Sequence, residues 1–182
     1  MFPVALDAFR LNLVGKYLCY AFVAVGLVML WGWGGVLSLG QGVFFGLGGY
    51  AMAMFLKLEA SDPETTKIQS TPGIPDFMDW NQLTELPLLW LPFQSLTFSL
   101  IAVVAVPTLL AFIVGYAMLK RRVGGVYFSI ITQALTYAAM LLFFRNDTGF
   151  GGNNGFTDFK RILGIAIQTP EMRMTLFVIT GI

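Results

Sequence analysis

Four polar side chains lie close together in an otherwise apolar stretch near residue 130. Ser129, Thr132, Gln133 and Thr136 are spaced so that, in a helix, they share one side. Hydroxyl and amide groups can hydrogen-bond a neutral solute, but this group contains no acid and no base. Two roles fit the pattern: hydrogen bonds between membrane helices, or the lining of a path for a small uncharged polar solute.

A second polar pair, Ser38 and Gln41, lies in a glycine-rich stretch that interrupts a long apolar segment. Such a density of glycine favours a helix end or an unwound turn. Irregular backbone at membrane depth is tolerated only inside protein or along a wet cavity, and broken helices often form solute sites there. A solute contact and a cap at the start of the next helix both fit Gln41.

The composition excludes most catalytic chemistry. The chain has no histidine and one cysteine, Cys19, so it cannot form a Cys/His zinc site, an internal disulfide or a Ser–His or Cys–His pair. We expect no catalytic residue, no metal site and no cofactor. A net charge of +1 gives no electrostatic basis for nucleic-acid binding. No P-loop motif occurs, so any ATP energy would come from another subunit.

The distribution of charge predicts a membrane protein. Of all residues 57% are apolar and only 12% are charged, against about 45–50% and about 25% in soluble domains. Residues 17–56, 86–119 and 123–144 carry no charge. Each stretch is long enough for a span of about 20 residues, and the first is long enough for two spans separated by the glycines.

We therefore predict an all-α, polytopic membrane helix bundle, with residues 1–182 forming the N-terminal part of one membrane domain. The predicted helices are about 17–37, 41–57, 93–119 (kinked at Pro107), 126–144 and an incomplete 173–182. The polar loops are predicted at 58–92, with room for a short helix, and at 145–172. Because the last apolar run stops at Ile182 without a polar anchor, we expect truncation after four to five hydrophobic helices. A short C-terminal helix lying on the protein is the alternative.

One face of the second predicted helix consists of small residues. Gly42, Gly46, Gly49 and Ala53 follow each other at steps of four, three and four. Small residues let another helix approach closely, so we predict helix packing on this face, with a pore-lining role as the alternative.

Basic residues indicate the orientation of the chain. Lys120, Arg121 and Arg122 form a tight basic loop, which the positive-inside rule places in the cytoplasm; docking on a partner is the other interpretation. Arg10 and Lys16 favour a cytoplasmic N-terminus as well. With a cytoplasmic N-terminus, two passes between 17 and 57 would return the chain to the cytoplasm before residue 58, but the span that ends at the basic loop must start outside. Either the N-terminus is outside or this segment does not make two ordinary passes.

Three stretches of sequence together carry a resemblance to a known family. They are LSLGQGVFFGLGGY at 37–50, GVYFSIITQAL at 125–135 and FRNDTGFGGNNGFTD at 144–158. The chain resembles the branched-chain amino-acid (LivM-type) permease family of bacterial ABC importers, and the third stretch looks most like its urea-transporting branch. The family often has His where this chain has Gln41, and Gln suits urea. Family members are longer, so the resemblance also implies a missing C-terminal half.

The resemblance implies a multi-pass permease subunit of the bacterial inner membrane that translocates urea or a related small amide. Its partners would be a second homologous permease, two ATPase subunits and a periplasmic solute-binding protein. A branched-chain amino-acid importer permease is the alternative, as is a passive channel or structural membrane subunit.

Overall fold

The computed structural model describes residues 8–63, 66–67, 69–145 and 149–181, and these are mainly helical. The helices are α1 (Ala8–Gly34), α2 (Gln41–Ala60), α3 (Asp76–Trp80), α4 (Leu96–Lys120), α5 (Val126–Phe144) and α6 (Pro170–Gly181). Strands β1 (Arg161–Ile162) and β2 (Ile165–Ala166) form a small antiparallel hairpin. Short 3₁₀ turns lie at Leu91–Gln94 and Gly152–Asn154. Among the described residues, α1, α2, α4 and α5 are long and apolar enough to span a membrane, which confirms the predicted fold class.

The first helix differs from the prediction at both ends. The described part of α1 already includes residues 8–16, because charged residues such as Arg10 and Lys16 can lie on the exposed surface of a helix without ending it. It ends at Gly34 rather than at 37. Gly35 follows with φ +66, and its N–H donates to the Trp31 carbonyl at 3.1 Å. Glycine takes this left-handed conformation without a steric penalty, and it commonly ends helices.

The other boundaries differ less. α2 continues past the predicted end at 57 to Ala60, and α4 begins at Leu96 rather than 93 because a 3₁₀ turn precedes it. α5 has the predicted bounds. Loop 58–92, which had room for a short helix, contains α3. Loop 145–172 contains the β hairpin, and α6 begins before its predicted end, at Pro170. Residues 64, 65, 68 and 146–148 of these loops, and residue 182, lie outside the described ranges.

The main hydrophobic core lies at one end of the helices. It joins α2 and α4 to the segment around α3, and its buried members are Ala51, Met54, Ile74, Phe77, Met78, Trp90, Phe93 and Ala102. The middle of α1, by contrast, is largely exposed; its N-terminal half packs on α6, where a Cβ at Gly15 would lie 3.7 Å from the Phe177 ring. Large exposed apolar surfaces of this kind mark contact with lipid or with partner helices.

The backbones of α2 and α4 approach each other closely at Gly48. A Cβ at Gly48 would lie 3.1 Å from the carbonyl oxygen of Val103. Val103 is four residues before Pro107, which lies inside α4 and has no N–H to donate to that carbonyl. Because Gly48 has no side chain, α2 has room for the Val103 carbonyl, which accepts no hydrogen bond from Pro107 within α4.

Candidate functional site

The linker between α1 and α2, residues 35–40, lies against the first turns of α5. The backbone N–H of Leu39 donates to Thr132 Oγ1 at 3.0 Å, and the Ser129 hydroxyl donates to the Leu37 carbonyl at 2.7 Å. Irregular backbone in a bilayer needs such partners, because lipid offers none. Two hydroxyls of the predicted polar group thus satisfy the backbone of the linker.

Thr132 is the centre of this contact. It is 2% exposed, and besides accepting from Leu39 it is placed to donate to the carbonyls of Phe128 and Ser129, each at 3.0 Å. A Cβ at Gly40 would lie 3.1 Å from both the Cβ and the carbonyl oxygen of Thr132. The linker therefore approaches α5 so closely that a side chain at position 40 would have to displace it.

Ser38 and Gln41 lie at the other side of the linker. Ser38 is 3% exposed, and its Oγ accepts from the Gly40 N–H at 3.3 Å. Gln41 is the half-buried first residue of α2, whose N-terminus has no side-chain cap. The Gln41 amide, with its two donors and one acceptor, makes no hydrogen bond to the described residues.

A cavity of about 450 Å³ lies beside the linker, between α1, α2, α4 and α5. Its polar wall is formed by Ser38, Gln41, Thr108 and Thr132, and no ionisable side chain contributes to it. The rest of the wall is apolar or glycine: Gly26, Leu30, Val36, Phe44, Pro107, Ala111, Val114, Gly115, Leu119 and Phe128. We call this the central cavity.

Thr108 is the polar residue of the cavity wall that the sequence analysis missed. It is an isolated threonine in an apolar helix, so no polar neighbour at helical spacing marks it. The proline directly before it is the one available signal, because Pro107 in a predicted span suggests a distorted backbone near a cavity.

Gln133 and Thr136 do not line the central cavity. Gln133 is exposed on α5, about 100° around the helix from Thr132. The Thr136 hydroxyl donates to the Thr132 carbonyl at 3.0 Å and reaches the Leu39 carbonyl at 3.4 Å. The structure therefore brings Thr136 to the linker but leaves Gln133 apart from the predicted group.

The glycines of the predicted small-residue face of α2 are not packed against another described element. A Cβ at Gly42, Gly46 or Gly49 would meet no neighbouring element within 4 Å in the described structure, and Ala53 is half-buried. Gly42 and Gly46 instead line a groove of about 200 Å³ between α2 and α5, together with Thr136 and Tyr50. Helix packing through this face stays a prediction, and the close contact inside the chain is made by Gly48.

The basic loop Lys120–Arg122 forms the tight turn between α4 and α5 and is exposed. Arg122 has a φ of +54, and the Lys120 ammonium lies 5.3 Å from the centre of the Tyr116 ring. Neither this loop nor any other part of the described ranges groups three metal-ligating side chains.

One comparison with known proteins gives a match. The family model described as branched-chain amino acid transport system / permease component matches residues 9–181, a range that includes the four candidate spans and the whole wall of the central cavity. No match was found among curated proteins or among solved structures. The match covers nearly the whole chain, and the chain therefore belongs to the permease family of branched-chain amino-acid transport systems.

Proposed function

We propose that the central cavity is part of the translocation path of an ABC importer permease, and that its solute is urea or a related small neutral amide. The observation that carries this proposal is the cavity wall, which offers the Gln41 amide and three hydroxyls but no ionisable group. A neutral amide needs hydrogen bonds from its site, and Gln41 can both donate to it and accept from it.

The absence of charged side chains from the wall of the central cavity favours a neutral solute over an ion. A charged group taken out of water costs far more free energy than a hydrogen-bonding neutral group, unless an opposite charge or several donors meet it. No side chain on this wall carries such a charge. A zwitterionic amino acid would therefore depend on a partner subunit for compensation, whereas urea would not.

A branched-chain amino acid is the second candidate. The apolar residues Val36, Phe44 and Val114 in the wall fit an aliphatic side chain, and the family is described by transport of such solutes. With about 450 Å³ the cavity has room for either class.

Transport would proceed by alternating access. Two ATPase subunits in the cytoplasm, a second homologous permease and a periplasmic binding protein would complete the importer. ATP binding and hydrolysis would shift the balance between inward-open and outward-open states through differential contacts. This permease would make or break no bond in the solute.

The orientation follows from the basic loop. If Lys120–Arg122 lies in the cytoplasm of a bacterial cell, the start of α5 is cytoplasmic. At a rise of 1.5 Å per residue, the linker contacts at Ser129 and Thr132 then lie about 4–9 Å from the start of α5, further into the inner membrane. Gly26 and Leu30 share the cavity wall with Gly115 and Leu119, so the C-terminal half of α1 lies beside the cytoplasmic half of α4. α1 and α2 then make two ordinary passes, and the N-terminus is outside.

Uptake of labelled urea and labelled leucine by the complete importer tests the proposal. Gln41→Leu removes both hydrogen-bonding functions from the cavity. Two lost bonds of about 0.5–1.5 kcal/mol each correspond to a loss of about tenfold in urea uptake. Gln133→Leu makes the same chemical change on the exposed side of α5 and serves as the matched control, with unchanged uptake.

Three outcomes would change the assignment. Unchanged urea uptake in Gln41→Leu removes this cavity from the path. Uptake of leucine without urea selects the amino-acid alternative. Urea uptake that continues without ATP identifies a passive channel instead of an ABC permease.

A further inference from the structure

A second polar cavity, of about 210 Å³, lies at the opposite end of the helices from the basic loop. Its wall comes from Lys57 near the end of α2, from Asp76 and Trp80 of α3 with the following Asn81, and from the glycine-rich loop, residues 149–158. We call it the outer cavity, since it lies beyond the ends of the spans on the side away from Lys120–Arg122.

Lys57 is the centre of the outer cavity. The side chain is 5% exposed, and its ammonium is 2.8 Å from Asp76 Oδ1. The same ammonium donates to the Thr157 carbonyl at 2.9 Å. An ammonium has three N–H groups, so one remains without a partner among the described residues.

Asp76 complements this donor with an acceptor. Its Oδ1 accepts from Lys57 and from the backbone N–H of Phe77, the latter at 2.8 Å. The second carboxylate oxygen, Oδ2, has no hydrogen bond to the described residues. The cavity wall thus combines one N–H group of a cation with one oxygen of an anion, a few ångströms apart.

The shape and polarity of the cavity narrow the class of ligand. At about 210 Å³ it is smaller than the roughly 300–1,000 Å³ of sites for drug-sized molecules. Because Lys57 and Asp76 neutralise each other, a singly charged ion would meet repulsion from one of the two. A molecule with an acceptor next to a donor meets both favourably, and the side chains of Asn81 and Asn153 add further amide groups to the wall.

We propose that the outer cavity binds a small carboxamide or a zwitterionic α-amino acid, with its carbonyl or carboxylate oxygen on Lys57 and its N–H groups on Asp76. It is separate from the central cavity and would hold solute at the outer face before translocation. It rests on the proposed function for the statements that this face is outside and that the solute is then translocated; binding itself does not depend on transport.

Trp80 provides a readout for binding, because its ring lines the cavity and is 72% exposed. Purified permease in lipid nanodiscs is titrated with acetamide, leucine, acetate and methylammonium while tryptophan emission is recorded. We expect a saturable change with acetamide or leucine at a Kd at least tenfold below that for acetate and methylammonium. Trp80→Phe should abolish the change, and the responsive ligand distinguishes amides from amino acids.

Two variants fill the cavity without touching the ion pair. Asn81→Phe and, from the exposed rim, Asn153→Phe should each raise the Kd at least tenfold, and the second is available if the first does not fold. Gln133→Leu, on the exposed side of α5, lines neither cavity and should leave binding unchanged. The Trp80 readout separates this test from that of the central cavity, because Trp80 lines the outer cavity alone of the two. The proposal is overturned if neither acetamide nor leucine gives a saturable change, if acetate binds as tightly, or if both filled variants bind as the parent protein does.

Discussion

The linker 35–40 and the glycine-rich loop 149–158 both hold irregular backbone against helix ends, but they use different chemistry. The linker is held by neutral groups, namely the hydroxyls of Ser129 and Thr132. The glycine-rich loop is held by the charged side chain of Lys57 and by stacked rings, with Phe156 lying 5.1 Å from Phe77.

The depth of each region explains this difference. A lysine or aspartate at the centre of a bilayer costs about 2.5–3.5 kcal/mol on the insertion scale, so hydroxyls are the less costly partners within a span. Lys57 sits near the end of α2, where Asp76 from the next segment can pair with it. The aromatic rings of Trp90, at 5.3 Å, and Tyr50, at 4.9 Å, pack around Phe156 of the same loop.

The largest loss of stability is expected from Lys57→Met, in the wall of the outer cavity. It leaves Asp76 without its cation and Thr157 without its donor. Breaking a buried pair costs about 3–5 kcal/mol, and we expect about 3 kcal/mol because Asp76 keeps 29% exposure. SDS-induced unfolding of the purified protein in mixed micelles measures the loss. Lys160→Met is the matched control: its pair with Asp158 is 49% and 52% exposed, and such pairs contribute less than about 1 kcal/mol.

Equal losses in the two lysine variants would contradict the distinction between a buried and an exposed pair. Small losses in both variants would show that the aromatic contacts of Phe156 contribute more to holding the glycine-rich loop than Lys57 does.

A smaller effect is expected from Thr132→Val in the linker region. Valine keeps the shape but leaves the part-buried N–H of Leu39 without an acceptor, which costs about 1–3 kcal/mol. Thr132→Ser retains Oγ and should recover most of that loss in the same unfolding measurement. If valine and serine are equally tolerated, the contact between linker and α5 depends on packing rather than on the hydrogen bond.

Ser129→Ala should have the smallest effect, about 0.6 kcal/mol, the average for hydrogen bonds between membrane helices. Here the group that loses its partner is a carbonyl, that of Leu37, and carbonyls tolerate missing partners better than N–H groups do. Ser129→Thr, which keeps the hydroxyl, is the control. A loss as large as that of Thr132→Val would show that donors and acceptors in the linker matter equally.

The charge pattern predicted α5 well because Gly125 and Arg145 bound a helix that carries no charge. It did not give the start of α1, since Arg10 and Lys16 lie on the exposed surface of a helix that includes them both. A span is defined by the free energy of transfer into lipid, whereas a helix is defined by backbone hydrogen bonds. The two coincide only where turn-forming residues and charges occur together.

Helical spacing identified the hydroxyls of the candidate site but not their partners. Thr132 bonds to Leu39 across 93 positions of sequence, and no local pattern carries that pairing. Spacing also grouped Gln133 with its neighbours, although one step along a helix turns a side chain by about 100°. Lys57 was missed because a lysine at the end of a span is the usual anchor at the membrane surface, and its burial depends on α3.

The carbonyl of Val103 has a consequence for motion. α4 lacks one internal hydrogen bond at the level of Pro107, so bending costs less there than elsewhere along the helix. Gly48 faces that carbonyl without a side chain, and Pro107 and Thr108 belong to the wall of the central cavity. A change in the bend of α4 would therefore alter the width of the central cavity, and the residues at this level would act as its hinge.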